Sequence, residues 1–175
     1  MPLYLIELKP AEATRESVGD LIEKVVSAVG SGDGELIETQ VTSDHRIVFV
    51  VVEADSPRFA SPVVKAVEGS AETAGPDEVR LVGAELDDIK KLKSHADYLV
   101  EWDIPAEITM DQYLARKKAN SPKYAEVPEV SFLRTYVRED TAKCLCFYDA
   151  PDEDAVTRAR AAVQTPIDRL FKLDV

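Results

Sequence analysis

Two segments of the chain match each other without a gap, and this internal match constrains the fold more than any other feature. Residues 36–54 align with residues 132–150 at one constant spacing. Upstream, YLIE at 4–7 resembles YLVE at 98–101 in the same relative order. Because the matching segments keep their order, the sequence predicts two diverged copies of one structural unit.

Each half predicts the order strand, helix, strand, strand, helix, strand. Apolar residues from Val18 to Val29 recur at the spacing of one helix face, and three glycines within 30–34 end that helix. Thr109 and Gln112 form a capping-box pattern in the second half. The predicted strands are 3–8, 36–42, 46–54 and 79–84, then 98–103, 130–138, 143–150 and 167–175, with helices at 18–29, 57–70, 109–122 and from Asp152.

A unit of this order forms one antiparallel sheet with both helices on a single face. The predicted fold class is therefore α+β, with tandem ferredoxin-like domains at residues 1–86 and 96–175 and a polar linker at 87–95. By analogy with dimeric α+β barrels, we expect the two open sheet faces to pack together as an intramolecular, barrel-like pseudo-dimer.

The charge balance excludes one large class of partner. The chain has 21 basic and 33 acidic residues, a formal net charge of −12, which repels phosphate backbones and disfavours nucleic acid. Its longest apolar run, from Ile47 to Val52, is too short to span a membrane, and no signal peptide is evident. We expect a cytoplasmic protein that binds a small molecule or metal ion, and a homo-oligomer stays open.

The second half also resembles a known family. The segments YLVEWDIP at 98–105 and CFYDAPDEDAV at 146–156 resemble the small bacterial nickel-binding proteins, and FLRTYV at 132–137 fits the second strand of that family. The resemblance spans roughly residues 96–175. It implies a ferredoxin-like fold and a divalent metal, nickel, bound with the help of histidines.

Histidines are where the chain departs from that family. His45 lies in a predicted turn and His95 in the predicted linker, so the helices of the second half offer none. Imidazole suits nickel better than carboxylate alone, so we expect nickel binding to be weak or absent. The candidate metal ligands that remain are Glu101, Asp103 and His95, and no other cofactor is implied.

Strand alternation places charged and polar side chains on one sheet face. The candidate ligand-binding residues are Glu7, Glu38, Glu101, Arg134 and Tyr136. Buried charges are costly unless paired and often mark functional sites. The alternatives are that some of these residues lie at solvated strand ends, or that Glu38 and Arg134 form a structural ion pair. If residues 140–141 form a two-residue turn, Arg134 lies opposite Phe147.

Cys144 and Cys146 alternate on the predicted strand face beneath the helices. They could hold a soft metal as thiolates, but two ligands are too few, so we interpret them as small buried residues.

The sequence as a whole leaves three candidate functions. The first is a non-enzymatic binding protein for a divalent metal or small ligand, the second a cofactor-independent enzyme of the α+β-barrel type, and the third an assembly domain without a pocket.

Overall fold

The computed structural model describes residues 1–91 and 96–174, which separate into two compact units. The first contains Met1–Val79, the helix at Leu86–Lys91 and Asp174, and the second contains Arg80–Glu85 and residues 96–173. Each unit has a four-stranded antiparallel sheet with the strand order expected of a ferredoxin-like fold. The predicted α+β class with tandem ferredoxin-like units is confirmed, whereas the predicted boundaries at 86 and 96 stay a prediction.

The first unit follows the predicted element order. Its elements are β1 (Leu3–Pro10), α1 (Arg15–Gly30), β2 (Glu35–Val41), β3 (Val48–Glu53), α2 (Ala60–Val67), β4 (Ala71–Val82) and α3 (Leu86–Lys91). The strand order is β2-β3-β1-β4. Thr14 caps α1 by accepting a hydrogen bond from the Ser17 backbone N–H at 3.1 Å. The helix then packs one apolar face on the sheet, so this core is built from valine, leucine and isoleucine side chains with few aromatic ones.

Two elements of the first unit differ from the prediction. β4 begins at Ala71 and runs through Gly75 and Pro76, which we had interpreted as a break between helix and strand. The register of β1 and β4 shifts at this point, and such a bulge accommodates a proline that cannot donate a ladder hydrogen bond. α3 occupies part of the predicted linker because Ile89 is buried.

The second unit has the same topology. Its elements are β5 (Tyr98–Asp103), α4 (Met110–Asn120), β6 (Ser131–Arg138), β7 (Lys143–Asp149), α5 (Glu153–Ala162) and β8 (Arg169–Lys172), in the strand order β6-β7-β5-β8. The predicted capping box is present, with Thr109 and Gln112 bonding to each other's backbone N–H groups. Asp152 caps α5 by accepting from the Ala155 N–H at 2.8 Å. α4 buries only Tyr113, so it covers the sheet much less completely than α1 does.

The predicted register of the β6–β7 hairpin is confirmed. Val137 pairs with Cys144, Thr135 with Cys146 and Arg134 with Phe147. Regular alternation predicts Phe132 on the same sheet face as Arg134 and Tyr136. This prediction is wrong, because a bulge between Phe132 and Arg134 reverses the alternation and packs Phe132 on the helix side. An equivalent bulge lies between Leu36 and Glu38 in the first unit and turns Leu36 into that core.

Candidate functional site: a cationic cleft beside two cysteines

The helix-facing side of β7 carries a buried polar cluster. Alternation along the strand points Cys144, Cys146 and Tyr148 toward α4 and α5, and all three are buried in the core of the second unit. The hydroxyl of Thr135, the partner of Cys146 on β6, donates to Cys146 Sγ at 3.1 Å. Sequence alternation predicted this strand face but not the polar contacts on it.

Arg160 of α5 extends into the same cluster. Its Nη1 lies 3.4 Å from Cys146 Sγ and 3.1 Å from the Tyr148 hydroxyl, and Nη2 donates to the Pro166 carbonyl at 2.6 Å. The side chain is only 2% exposed, and its Nε has no hydrogen-bond partner among the described residues. A guanidinium is always charged in proteins, so Arg160 places a buried positive charge beside the Cys146 sulfur.

Aromatic hydroxyl groups surround the cluster. The hydroxyls of Tyr124 and Tyr148 lie 2.6 Å apart, and the ring of Tyr124 stacks on Phe132. Tyr113 is buried and lines the same space as the two cysteines. Burial raises the pKa of Tyr124 to about 12 and that of Tyr148 well above its ordinary value, so both phenols stay neutral at physiological pH.

A cleft opens beside the two cysteines because α4 is poor in apolar residues. Its cavity measures about 20 Å³, which is room for about one water-sized molecule. Two cations of α4 line it: Arg116 lies 5.4 Å from the centre of the Trp102 ring, and Lys117 lies 4.4 Å from that of Phe132. Arg160 also lines the cleft, and no carboxylate does so among the described residues.

This environment favours a negative charge on one of the two thiols. The pKa of Cys146 is lowered well below its ordinary value, first by the hydrogen bond from Cys144, then by Lys117 and Arg160 and by the hydrogen bond from Thr135, while its burial acts in the opposite direction. The pKa of Cys144 is raised, because it donates to Cys146 and is itself buried. Burial alone would lower the pKa of Arg160, but Cys146 and Tyr148 raise it. These directions favour the charged form of Cys146 over that of Cys144, beside the buried Arg160 cation.

The donor set of this cleft does not fit a divalent metal. Cys144 and Cys146 supply two sulfurs, but no third histidine, cysteine, aspartate or glutamate joins them among the described residues. Arg116, Lys117 and Arg160 line the same space and would repel a cation. The cleft instead offers what a small anion requires, namely buried positive charge and hydrogen-bond donors.

Glu101 and Asp103, predicted as metal ligands, are held by cations in the structure. Arg169 donates from Nε to Glu101 Oε2 at 2.6 Å and forms a two-point contact with Asp103. Lys143 Nζ lies 3.4 Å from Glu101 Oε2. The Arg169 hydrogen bond lowers the pKa of Asp103. Both carboxylates are already paired with cations, so they are poor candidates for an additional metal ion.

The remaining predicted ligand residues lie on the sheet faces that point away from the helices. Arg134 is buried with its guanidinium carbon 4.8 Å from the centre of the Phe147 ring, and Tyr136 meets the same ring edge-on at 5.8 Å. In the first unit, Glu38 accepts from the Gln40 side chain at 3.0 Å, and Glu7 is half-buried opposite Phe49. A ligand-binding role for these residues stays a prediction.

The predicted histidines have separate outcomes. His45 lies in the β2–β3 turn with Nε2 3.2 Å from Asp174 Oδ2. His95, the third candidate metal ligand, lies outside the described residues.

Arg160 was not predicted as a site residue, although the sequence contains a signal for it. It follows Val156 by four positions, so it falls on the apolar face of α5.

Comparison with known proteins supports the assignment of the second unit. Residues 98–173 match the sequence model of the family described as "Nickel responsive protein SCO4226-like". The resemblance predicted for the second half is therefore confirmed. The solved structure of SCO4226 from Streptomyces coelicolor A3(2) is 18% identical and covers 46% of this chain and 98% of its own, with a TM-score of 0.40. No curated protein sequence matches this chain.

Solved structures that cover the whole chain share its fold. A candidate chlorite dismutase, TA0507, is 14% identical over 100% of this chain and 96% of its own, with a TM-score of 0.57. A candidate monooxygenase (FN1347) from Fusobacterium nucleatum subsp. nucleatum ATCC 25586 is 13% identical over 99% and 92%, with a TM-score of 0.55. At these identities the likeness shows the fold alone.

Within the described residues, no helix is long and apolar enough to cross a membrane.

Proposed function

We propose that the second unit is a binding module for a small anion, which it takes in the cleft between α4, α5 and β7. One observation carries the proposal: Arg160 is buried with a positive charge and an unpartnered Nε, and no carboxylate pairs with it among the described residues. Burying a cation is costly, and an anion beside it would offset that cost.

The size and charge of the cleft define the ligand class. A cavity of about 20 Å³ holds about one water-sized group, so a monatomic anion such as chloride fits it better than formate or nitrate. Even with Cys146 as a thiolate, Arg116, Lys117 and Arg160 leave an excess of positive charge around it. The tyrosine hydroxyls and Asn120 can donate further hydrogen bonds to a bound anion.

The nickel association of the matched family motivates a competing proposal, a divalent metal in the same unit. The two sulfurs of the cleft and the ion-paired Glu101 and Asp103 do not make a nickel site by themselves. We therefore propose that a small anion, and not nickel, is the ligand of this cleft. The enzyme alternative stays a proposal, and its candidate residue Glu101 is ion-paired with Arg169 and Lys143.

Thermal unfolding of the full chain tests the proposal. Sodium chloride, formate and nitrate are titrated at constant ionic strength against sodium gluconate, whose anion is too large for the cleft. A ligand at 100 times its Kd stabilises the native state by about 2.7 kcal/mol, so the unfolding temperature should rise with at least one small anion. The rise should disappear in Arg160→Met and weaken in Lys117→Ala.

Arg158→Met is the matched control, because Arg158 lies on α5 but is exposed and paired with Glu129 and Asp154. It should keep the full response to the anion. An equal response in Arg160→Met, or no response to any of the three anions, would contradict the proposal. If Arg160→Met does not fold, the Arg116→Ala/Lys117→Ala double variant replaces it. A calorimetric titration with nickel chloride completes the test. Stoichiometric nickel binding that is lost in Cys144→Ser or Cys146→Ser would establish the competing proposal of a metal site.

A further inference from the structure

We propose that Cys146 is a nucleophile that reduces hydrogen peroxide, with Thr135 and Arg160 positioning and stabilising its sulfur. This activity goes beyond the proposed anion binding. It uses the same cleft but requires no bound anion.

The contacts of Cys146 are those of a sulfur that carries charge. Thr135 Oγ1 and Arg160 Nη1 both donate to Sγ, at 3.1 and 3.4 Å. A structural cysteine in a core needs no such donors, because a neutral thiol is a weak acceptor. Donors and a cation around the sulfur favour the thiolate, which is the nucleophilic form, and the lowered pKa of Cys146 agrees with this geometry.

The cleft gives a small oxidant access to this sulfur. Cys146 is only 1% exposed, yet both cysteines line the cavity, whose volume of about 20 Å³ matches one water-sized molecule. Hydrogen peroxide is only slightly larger than water. Its oxygens can accept hydrogen bonds from the same donors that hold the thiolate, and Arg160 Nε has no partner among the described residues.

The proposed reaction needs one oxidant, hydrogen peroxide, and one class of reductant, a thiol. The Cys146 thiolate attacks one peroxide oxygen, the O–O bond breaks, hydroxide leaves, and the sulfur becomes a sulfenic acid. A thiol small enough to enter the cleft, such as hydrogen sulfide or methanethiol, then condenses with the sulfenic acid, releasing water and forming a mixed disulfide. A second thiol reduces that disulfide and restores Cys146. Overall, one peroxide and two thiols give two waters and one disulfide.

Cys144 does not form a disulfide with Cys146 in this scheme. Residues two apart on a strand have Cα atoms about 6.6–6.8 Å apart, at the upper limit for an unstrained disulfide. The sulfenic acid should therefore persist until an external thiol arrives. This distinguishes the proposal from a dithiol mechanism.

Intact-mass spectrometry and peptide mapping of the reduced full chain after peroxide treatment in gluconate buffer test the assignment. We expect an adduct of one oxygen, located on Cys146, and none in Cys146→Ser. The rate constant with peroxide at pH 7 should exceed that of free cysteine by about tenfold or more, since only a few per cent of a free thiol is ionised there. From pH 7 to pH 6 the rate of free cysteine falls about tenfold, whereas that of the protein should fall much less.

Variants test whether the donor residues position the Cys146 sulfur or only support the fold. Thr135→Val keeps shape and removes one donor, and Arg160→Met removes the other, so each should lower the rate several-fold and steepen its pH dependence. Arg158→Met should change neither. An oxygen adduct on Cys144, a rate no higher than that of free cysteine, or an unchanged rate and pH profile in Thr135→Val would overturn the proposal. Because the buffer contains no small anion, failure of anion binding would not produce any of these outcomes.

Discussion

The central strands of the two units, β3 and β7, form the same structure with different chemistry. At the constant spacing of the internal match, Val48, Val50 and Val52 correspond to Cys144, Cys146 and Tyr148. All six side chains are buried beneath helices. The first unit therefore has an apolar core where the second has two thiols and a phenol, so the strand pattern determines the fold without determining the chemistry.

The helices show the same contrast. Continuing the spacing into α2 and α5, Val63 and Val67 correspond to Ala159 and Val163, and all four are buried. Val64 corresponds to Arg160, but Val64 is exposed whereas Arg160 is buried. The buried cation of the second unit is thus a departure from the shared pattern, and it lies where the cleft opens.

The largest expected effect tests whether the first core is purely apolar. Val50→Ser should destabilise the first unit by about 3 kcal/mol, because it removes buried methyl groups and places a hydroxyl among apolar side chains. Segment-resolved native-state hydrogen exchange measures this loss. Its matched counterpart, Cys146→Ser, should cost only about 1 kcal/mol or less, since Thr135 and Arg160 can donate to the new hydroxyl. Equal losses would remove the distinction between the two cores.

A second contrast lies on the first strands of the units. Glu101 is 3% exposed and accepts from Arg169, whereas its counterpart Glu7 is half-buried. Arg169→Met should therefore cost about 2 kcal/mol, less than a fully buried pair because Lys143 stays near Glu101. Urea unfolding followed by the fluorescence of Trp102, the only tryptophan, reports on the second unit. The control Arg158→Met removes an exposed ion pair and should change stability by less than about 1 kcal/mol.

The two units also show what sequence can and cannot predict. Strand β5 and the β6–β7 register were predicted correctly, because alternation and a two-residue turn constrain them. The side of the sheet on which Phe132 lies was predicted wrongly, because a bulge inserts one residue and leaves no mark in the hydrophobic pattern.

The site was missed for a different reason. Cys146 becomes polar only through Thr135 and Arg160, which are 11 and 14 residues away in sequence. A single-residue interpretation of cysteine as a small apolar residue ignores such contacts. Only the helical spacing of Arg160 could have indicated them.

The hairpin turns allow a finer test. His45 and Thr141 occupy the same turn position and have φ values of 62° and 59°. A β-branched side chain is strained in this region, so Thr141→Gly should stabilise the second unit by up to about 1 kcal/mol. His45→Gly should gain less, because it also removes the contact with Asp174. Chemical unfolding measures both, and a destabilising Thr141→Gly would mean that the strain is absent.

The smallest expected effect concerns the aspartates of the same turns, Asp44 and Asp140. The pKa of Asp44 is lowered first by a hydrogen bond from the Thr42 hydroxyl, whereas that of Asp140 is lowered first by the Arg138 guanidinium. A carboxyl whose folded pKa is depressed contributes stability above its unfolded value of about 3.9 and loses that contribution as pH falls through the folded value. Both side chains are more than half exposed, so each contribution should be less than about 1 kcal/mol.

Salt should separate these two aspartates, because it screens an exposed ion pair but hardly affects a hydrogen bond from a neutral hydroxyl. The stability difference between pH 5 and pH 3 that depends on Asp140, obtained by comparison with Asp140→Asn, should shrink in 1 M sodium chloride. The corresponding difference for Asp44, obtained with Asp44→Asn, should change little. Equal salt sensitivity at the two positions would mean that the equivalent turns are held by the same kind of interaction, and the contrast between the units would then be confined to their cores.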